Sequence, residues 1–209
     1  GSGDGTFGPM RVLATQQNCL RCYTVDLDSD GHLDLVTTSS GLFPFQYVYW
    51  NDGTGWASGP AQGVGLNPGY GFAYGDLDQD GHLDILASAP DKFPNYTGGL
   101  WVRMGLGNRS FTAAQRYGSA FTGPLSVGDV NRDGRPDVFG LDGTSYAHIR
   151  TYLGRGDGTF AQDAHLPTAY DPVLLALGDW NGDGAADVAS PYRNLGDTPY
   201  MTVILNKTP

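Results

Sequence analysis

The chain has 209 residues, among which are 32 glycines and 22 aspartates but no glutamate, and its formal charge is −10. No basic stripe is present to neutralise the phosphates of a nucleic acid, and no apolar run approaches the roughly 18 residues of a membrane-spanning helix. Abundant glycine and scarce helix formers favour many short strands joined by tight turns, so we predict an all-β protein.

One nine-residue pattern recurs four times, in residues 26–34, 76–84, 129–137 and 179–187. The copies start 50, 53 and 50 residues apart, and the first two read DLDSDGHLD and DLDQDGHLD. Every copy has Asp or Asn at positions 1, 3, 5 and 9 and glycine at position 6. Proteins bind Ca²⁺ with oxygen atoms at alternate positions of such tight turns, so each copy is a predicted calcium loop.

Each loop is predicted to hold one structural calcium ion, which gives about four ions for the chain. Positions 1, 3, 5 and 9 supply side-chain oxygens, and position 7 offers its backbone carbonyl. Fourteen of the 22 aspartates lie in these loops, so bound calcium would cancel most of the negative charge. The alternative is four aspartate-rich turns without a metal. The predicted ligands are Asp26, Asp28, Asp30, His32, Asp34, Asp76, Asp78, Asp80, His82, Asp84, Asp129, Asn131, Asp133, Arg135, Asp137, Asp179, Asn181, Asp183, Ala185 and Asp187.

The residues after each loop form short apolar runs, which predict strands and argue against the second helix of an EF-hand. Glycine-rich hairpins follow, in residues 48–56, 101–111 and 151–160. A four-stranded antiparallel unit that repeats about every 50 residues is typical of a propeller blade. We therefore predict a β-propeller of four-stranded antiparallel blades in one domain over residues 1–209, with blades at about 19–66, 70–117, 121–168, and 172–209 plus 1–14.

The fourth repeat is divided between the two ends of the chain. Residues 202–206 read as its third strand, and the GSGDGTF sequence of residues 1–7 matches the second half of the other hairpins. An N-terminal strand over residues 6–13 is therefore predicted to close the fourth blade, which removes an exposed sheet edge. A monomeric closed ring is favoured, and the alternative is a larger ring completed by association with another chain.

The segments GDLDQDGHLDIL and VDLDSDGHLDLV, together with the GDGTF hairpins, resemble the FG-GAP/VCBS repeat. This repeat is found in integrin α-chain propellers and in many secreted proteins, including calcium-containing propeller lectins. The resemblance covers nearly the whole chain and implies a β-propeller with Ca²⁺ in the loop between the first two strands of each blade. Two copies depart from the pattern with Asn131 and Asn181 at position 3, where a neutral oxygen predicts weaker calcium binding.

The calcium loops occupy one end of the predicted blades, which leaves the loops at the opposite end free to bind a partner. Those loops are rich in aromatic residues with Asn, Asp, Arg and Gln between them, a composition that suits sugar rings. The alternative is that the aromatic side chains pack between blades. The predicted ligand-binding residues are Tyr47, Tyr70, Phe93, Tyr96, Tyr146, Tyr170, Tyr192 and Tyr200.

The favoured function is a secreted, lectin-like carbohydrate-binding module in which calcium is structural. The alternative is a protein-binding scaffold for adhesion or assembly, so the expected partner is a glycan or an extracellular or cell-surface protein. An enzyme that acts on polysaccharides is less favoured, and no catalytic residue is assigned. Without glutamate, a pair of catalytic carboxylates would have to come from Asp91, Asp142, Asp171 and Asp197.

Cys19 and Cys22 are predicted to form a small structural disulfide, with two free thiols as the alternative. Residues three apart on a flat strand point in opposite directions, so this disulfide requires a turn. Loops of this kind match extracellular calcium, and the chain opens in mid-pattern without a signal peptide, as we expect of a mature secreted form or an excised domain.

Several aromatic and imidazole side chains have predicted places outside the ligand-binding loops. Trp50, Trp56, Trp101 and Phe111 lie on predicted strands and are expected to pack between blades. His32 and His82 occupy position 7 of their loops, where only the carbonyl is needed, so their side chains are expected to face water.

Overall fold

The computed structural model describes residues 4–10, 12–13, 19–39, 46–54, 62–63, 71–89, 98–118, 121–142, 148–168, 174–191 and 201–207. These residues form antiparallel strands arranged in four sheets, and within each sheet the strands lie side by side in chain order. The prediction of an all-β protein built from repeated antiparallel sheets is confirmed. Within the described part of the chain, no helix has the length and apolarity needed to cross a membrane.

Three sheets have four described strands each, and the fourth sheet has three. Each candidate metal loop connects the first strand of a sheet to the second, as predicted. In chain order, sheets one to four contain β1 (Cys19–Val25), β2 (Asp34–Ser39), β3 (Gln46–Tyr49) and β4 (Gln62–Gly63); β5 (Gly71–Gly75), β6 (Asp84–Ala89), β7 (Gly99–Arg103) and β8 (Gln115–Tyr117); β9 (Phe121–Gly128), β10 (Asp137–Asp142), β11 (His148–Gly154) and β12 (Phe160–Pro167); and β13 (Ala176–Gly178), β14 (Asp187–Pro191) and β15 (Met201–Ile204).

The second strand of a sheet is buried on both faces, as β6 shows. Ile85 and Leu86 are both fully buried, and they point to opposite faces because successive strand residues alternate. Ile85 packs in an apolar cluster with the first sheet, whereas Leu86 packs in a cluster with the third sheet. A strand covered on both faces needs a continuous apolar run, which is what the sequence supplies after each loop.

Three apolar clusters join the sheets in chain order. Trp50 is buried in the cluster between the first and second sheets, and Trp101 and Phe111 pack against it, so these three residues lie between sheets as predicted. Phe121 anchors the cluster between the second and third sheets, and Val188 belongs to the cluster between the third and fourth. Each cluster stabilises the pair of sheets that it joins, because it removes apolar surface from water.

The described residues do not show closure of the ring. Residues 4–10 and 12–13 form no strand, and the side chains of Phe7 and Met10 are each 89% exposed. Met201, Val203 and Leu205, which point to the outer face of the fourth sheet, are also exposed. The predicted N-terminal strand over residues 6–13 is therefore not paired with β15. Closure would join segments almost a full chain length apart, and no local pattern determines such a pairing.

The N-terminal segment nevertheless keeps the turn of the other hairpins. The Asp4 carboxylate accepts hydrogen bonds from the backbone N–H of Thr6 at 2.9 Å and from its hydroxyl at 2.6 Å. Asp52 and Thr54 make the same pair of bonds, and so do Asp157 and Thr159 in the third sheet. This shared turn supports the prediction that residues 1–7 correspond to half of a hairpin.

Candidate metal centres

The aspartate at position 1 shapes each loop by accepting two backbone hydrogen bonds. In the first loop the Oδ1 atom of Asp26 accepts from the N–H of Asp30 at 3.0 Å, and Oδ2 accepts from the N–H of Gly31 at 2.9 Å. The same two bonds recur in the other three loops. Position 6 has a φ of 88° at Gly31, a value that favours glycine. These two hydrogen bonds hold the loop backbone around the carboxylate at position 1.

The aspartate at position 9 has a second role that the sequence analysis did not find. Asp84 is fully buried, and its Oδ2 and Oδ1 atoms accept from the N–H groups of Leu77 at 2.7 Å and Gly105 at 2.8 Å. One bond holds the loop, and the other holds the hairpin after the third strand. The corresponding Asp34, Asp137 and Asp187 are equally buried and make the same pair of bonds.

Three carboxylates meet in each of the first two loops. In the first loop one oxygen atom each from Asp26, Asp28 and Asp34 lies within 4.8 Å of the others, and the corresponding three aspartates of the second loop meet in the same way. These are positions 1, 3 and 9 of the predicted ligand set. Position 5 is not part of either group; its carboxylate accepts from the N–H of position 7, at 2.9 Å from His32 in the first loop.

The third and fourth loops differ because an amide replaces the carboxylate at position 3. The Asn131 amide nitrogen donates to Oδ2 of Asp133 at 3.0 Å, and Asn181 donates to Asp183 at 2.8 Å. In these two loops the position-5 carboxylate thus accepts a hydrogen bond from position 3, whereas in the first two loops position 3 is a second carboxylate. This difference supports the prediction that the last two loops bind a cation more weakly.

The electrostatics of the second loop favour a cation. The pKa of Asp84 is raised to about 6, chiefly by burial; the two backbone hydrogen bonds oppose this rise, and the charges of Asp78 and Asp76 add to it. Burial, followed by the charge of Asp80, also raises the pKa of Asp78. Raised values mean that the protein alone does not compensate these negative charges, whereas a divalent ion among the oxygen atoms would do so. The residues of this cluster therefore fit a hard divalent cation.

The side chains at position 7 do not simply face water. The His82 ring is half-buried and lies against Gly107 of the hairpin in its own sheet, where a Cβ atom would collide with it. Its Nδ1 atom is buried and has no hydrogen-bond partner in the part of the chain that the structure describes. The His32 ring is exposed but packs in the same way against Gly53. The expectation for His82 was therefore wrong, because the glycine of the hairpin leaves room for the ring.

Side chains at position 4 link one loop to the next. Gln79 donates from Nε2 to the carbonyl of Gly134 at 2.7 Å, and Arg132 donates to the carbonyl and to the carboxylate of Asp183. The Ser29 hydroxyl makes a longer contact with the carbonyl of Gly81, at 3.5 Å. The fourth loop has Gly182 at this position and so has no side chain with which to continue the series.

The predicted ligand-binding residues lie mostly outside the described residues. This applies to Tyr70, Phe93, Tyr96, Tyr146, Tyr170, Tyr192 and Tyr200. Tyr47 is described: it is half-buried in β3, near the strand end that lies away from the metal loop. Its neighbour Gln46 is fully buried, and neither atom of its amide has a hydrogen-bond partner among the described residues.

A polar cluster that the sequence analysis missed lies at that same end of the third sheet. The buried Asp142 carboxylate accepts from Arg150 at 3.1 Å and lies 3.4 Å from Nδ1 of His165, whose ring packs edge-on against His148. Asp142 is the only described member of the four acids considered for catalysis, since residues 91, 171 and 197 lie outside the described ranges. The sequence contains no local pattern that would predict the contacts of Asp142 with Arg150 and His165, or that of His165 with His148.

The two cysteines are close but not bonded. Their Sγ atoms lie 3.5 Å apart, whereas a disulfide bond is about 2.05 Å long. In this structure both thiols are free and exposed. A bulge between Cys19 and Arg21 supplies the irregularity needed to bring the two sulfurs to one side of β1. Closure of the bond on oxidation stays a prediction.

The antiparallel sheets and their aspartate loops define a repeat protein with candidate cation sites at one end of each sheet. Residues 26–87 and 129–190 match the model of the FG-GAP-like repeat. Since these matches cover more than half of the chain, the chain belongs to the FG-GAP-like repeat family, as the resemblance implied.

Comparison with whole proteins adds little about function. An Agrocybe aegerita lectin, described as recognising non-reducing terminal N-acetylglucosamine, matches all of this chain over 74% of its own length, with 16% identity and a TM-score of 0.48. A likeness of this degree carries no argument about the ligand of this chain. No curated protein matches at a significant level.

Proposed function

We propose that this chain is a secreted calcium-binding FG-GAP-like module in which the ions are structural and one end of the sheets binds a partner. The observation that carries the proposal is the meeting of three carboxylates in each of the first two loops. One of the three is the buried aspartate at position 9, and the pKa of that residue in the second loop, Asp84, is raised. Calcium bound there would compensate these charges and stabilise the folded state by linkage.

Calcium titration by calorimetry, together with thermal unfolding in calcium and in chelator, tests this proposal. We expect millimolar calcium to raise the melting temperature by several degrees, because a ligand at 100 times its dissociation constant contributes about 2.7 kcal/mol. Magnesium at equal concentration is the control, since it demands a smaller octahedral site. Calcium that neither binds nor changes the melting temperature would contradict the proposal.

For the partner, we propose a carbohydrate bound at the end of the sheets opposite the calcium loops. Tyr47 lies towards this end, and so does the polar cluster of Asp142, Arg150 and His165. Aromatic faces beside planar polar groups suit the apolar face and the hydroxyl edges of a sugar ring. Several similar weak sites in one chain would bind a multivalent glycan by avidity. No catalytic step is part of this proposal.

A glycan array in millimolar calcium, repeated in chelator, tests the carbohydrate proposal. We expect selective binding in calcium that is lost as the loops loosen in chelator. An empty array from folded, calcium-loaded protein would exclude a lectin and leave calcium binding intact, so the two parts of the proposal fail separately.

A protein partner is the second candidate, and one observation favours it. Leu174, Met201, Val203 and Leu205 leave apolar surface exposed on the fourth sheet. Exposed apolar patches often mark protein–protein contacts. If a protein partner binds this patch, Val203→Asp should abolish complex formation without changing calcium binding. Gel filtration with light scattering would detect the loss of the complex.

A further inference from the structure

An arginine from the second sheet lies among the predicted calcium ligands of the first loop. Arg109 donates from Nε to Oδ2 of Asp28 at 2.5 Å and from its terminal nitrogen to Asp30 at 3.4 Å. The Asp28 side chain is only 6% exposed, and the guanidinium lies 5.3 Å from the centre of the Trp50 ring. The positive charge is thus held between a buried carboxylate and an aromatic face of the first sheet.

The second loop has the same carboxylates but no such arginine. In the hairpin of the third sheet, the residue that corresponds to Arg109 is Gly158, which also precedes the hydroxyl residue of the turn and donates its N–H to the carbonyl of Leu77. A Cβ atom on Gly158 would lie 3.7 Å from that of Asp78. In the part of the chain that the structure describes, no arginine contacts Asp78.

Arg109 has a left-handed backbone conformation at a turn position that glycine occupies in the other hairpins. Its φ is 64°, and the corresponding residues of the other turns are Gly5, Gly53 and Gly158, with φ of 86°, 81° and 74°. A side chain in this left-handed region carries a conformational cost, which glycine avoids. The ion pair with Asp28 offsets that cost.

We propose that Arg109 is a built-in counter-cation that lowers the calcium affinity of the first loop below that of the second. The inference rests on the proposed calcium function. In calcium-free protein the guanidinium neutralises Asp28 and Asp30 and ties the second hairpin to the first sheet. In calcium-loaded protein the same charge repels the ion and competes for the oxygen atoms of Asp28. The two loops, almost identical in sequence, would then load at different calcium concentrations.

The expected size of the effect follows from Coulomb's law. The Arg109 side chain is 40% exposed, so its charge is screened largely by water. A unit charge about 5 Å from a divalent ion then changes the affinity by about tenfold. Arg109→Gln removes the charge and keeps a long side chain, so it should raise the calcium affinity of the first loop by about this factor. Arg109→Lys retains the charge and should keep the wild-type affinity.

The test is a calcium titration followed by amide NMR, because each loop has its own reporter. The N–H groups of Gly31 and Gly81 donate to the position-1 aspartates of the first and second loops. We expect the Gly81 signal of the wild type to respond at lower calcium than the Gly31 signal, and Arg109→Gln to bring the two midpoints together. Lys207→Gln, which removes an exposed cation outside the hairpins that flank the first two loops, controls for the loss of one charge.

Two results of this titration separate the role of Arg109 from calcium binding itself. If neither glycine signal of the wild type responds to calcium, both proposals are wrong. If the signals respond but Arg109→Gln leaves the Gly31 midpoint unchanged or moves it to higher calcium, Arg109 does not compete with the ion and only the inference is overturned.

A measurement without calcium provides a second readout. In chelator, Arg109→Gln should lower the melting temperature, because Asp28 and Asp30 lose their counter-charge, and calcium should then produce a larger rise than in the wild type. Equal melting temperatures in chelator for the wild type and the variant would overturn the counter-cation role.

Discussion

The first and second loops differ at a single position, Ser29 against Gln79, yet they lie in different electrostatic surroundings. Arg109 pairs with Asp28 in the first loop, whereas Gly158 takes the corresponding position beside the second loop, where no described arginine contacts Asp78. Each of these two loops is flanked by the hairpin of the following sheet, so the neighbouring hairpin can add charge to that of the motif's own aspartates. The two loops therefore have the same aspartates but a different set of charges around them.

The largest expected effect concerns what the two loops share. Asp84→Ala and Asp34→Ala should each destabilise the protein by roughly 3 kcal/mol or more in chelator, because each leaves two buried backbone N–H groups without an acceptor, at about 1–3 kcal/mol apiece. Urea unfolding followed by circular dichroism measures the loss. Asp80→Ala is the control, since that carboxylate is exposed and the hydrogen bond it accepts from the N–H of His82 is local to the loop.

The two position-9 variants should then separate in calcium. The loss caused by Asp84→Ala should grow more than the loss caused by Asp34→Ala, because the second loop has the higher predicted affinity. If calcium increases the loss of stability equally in the two variants, Arg109 does not lower the calcium affinity of the first loop.

A smaller effect is expected from transferring the arginine to the second loop. Gly158→Arg would place a guanidinium beside Asp78 and should lower the calcium affinity of that loop by about tenfold, as read from the Gly81 amide signal. The new Cβ atom would lie 2.5 Å from Cε of Met104, the flexible end of a side chain that can move. Gly158→Gln is the matched control, because it has the same backbone cost at φ 74° without the charge.

Equal affinities in Gly158→Arg and Gly158→Gln would show that the charge of the neighbouring hairpin does not reach the loop. Such a result would also weaken the role assigned to Arg109, since the two positions correspond.

Local patterns were sufficient to predict the loops and the strands that follow them. Spacing of the oxygen side chains identified position 1 and position 9, and the apolar run after each loop predicted strands such as β6. These features repeat within a few residues, and neighbouring residues determine them. The clusters between sheets followed from the same runs, so Trp50 and Trp101 were placed correctly.

Contacts between sheets were not predictable from one repeat at a time. The pair of Arg109 with Asp28 joins residues 81 positions apart, and the buried Asp84 reaches Gly105 across 21 positions. Both depend on how one sheet stacks on the next or how a hairpin folds back. The predicted pairing of residues 6–13 with the fourth sheet is not seen among the described residues and stays a prediction, since no local contact fixes where the two chain ends lie.

The smallest expected effect concerns the one residue that distinguishes the two loops. Gln79 donates to the carbonyl of Gly134 at 2.7 Å, whereas Ser29 lies 3.5 Å from the carbonyl of Gly81. Gln79→Ala should therefore destabilise the protein by about 1 kcal/mol, the net value of one hydrogen bond, and Ser29→Ala should change stability by less than about 0.5 kcal/mol. Ser29→Gln should raise stability by part of the amount that Gln79→Ala lowers it, because the longer side chain can hydrogen-bond the carbonyl of Gly81. Urea unfolding in chelator isolates these small differences from calcium binding, and a loss from Ser29→Ala as large as that from Gln79→Ala would mean that the link between loops does not depend on side-chain length.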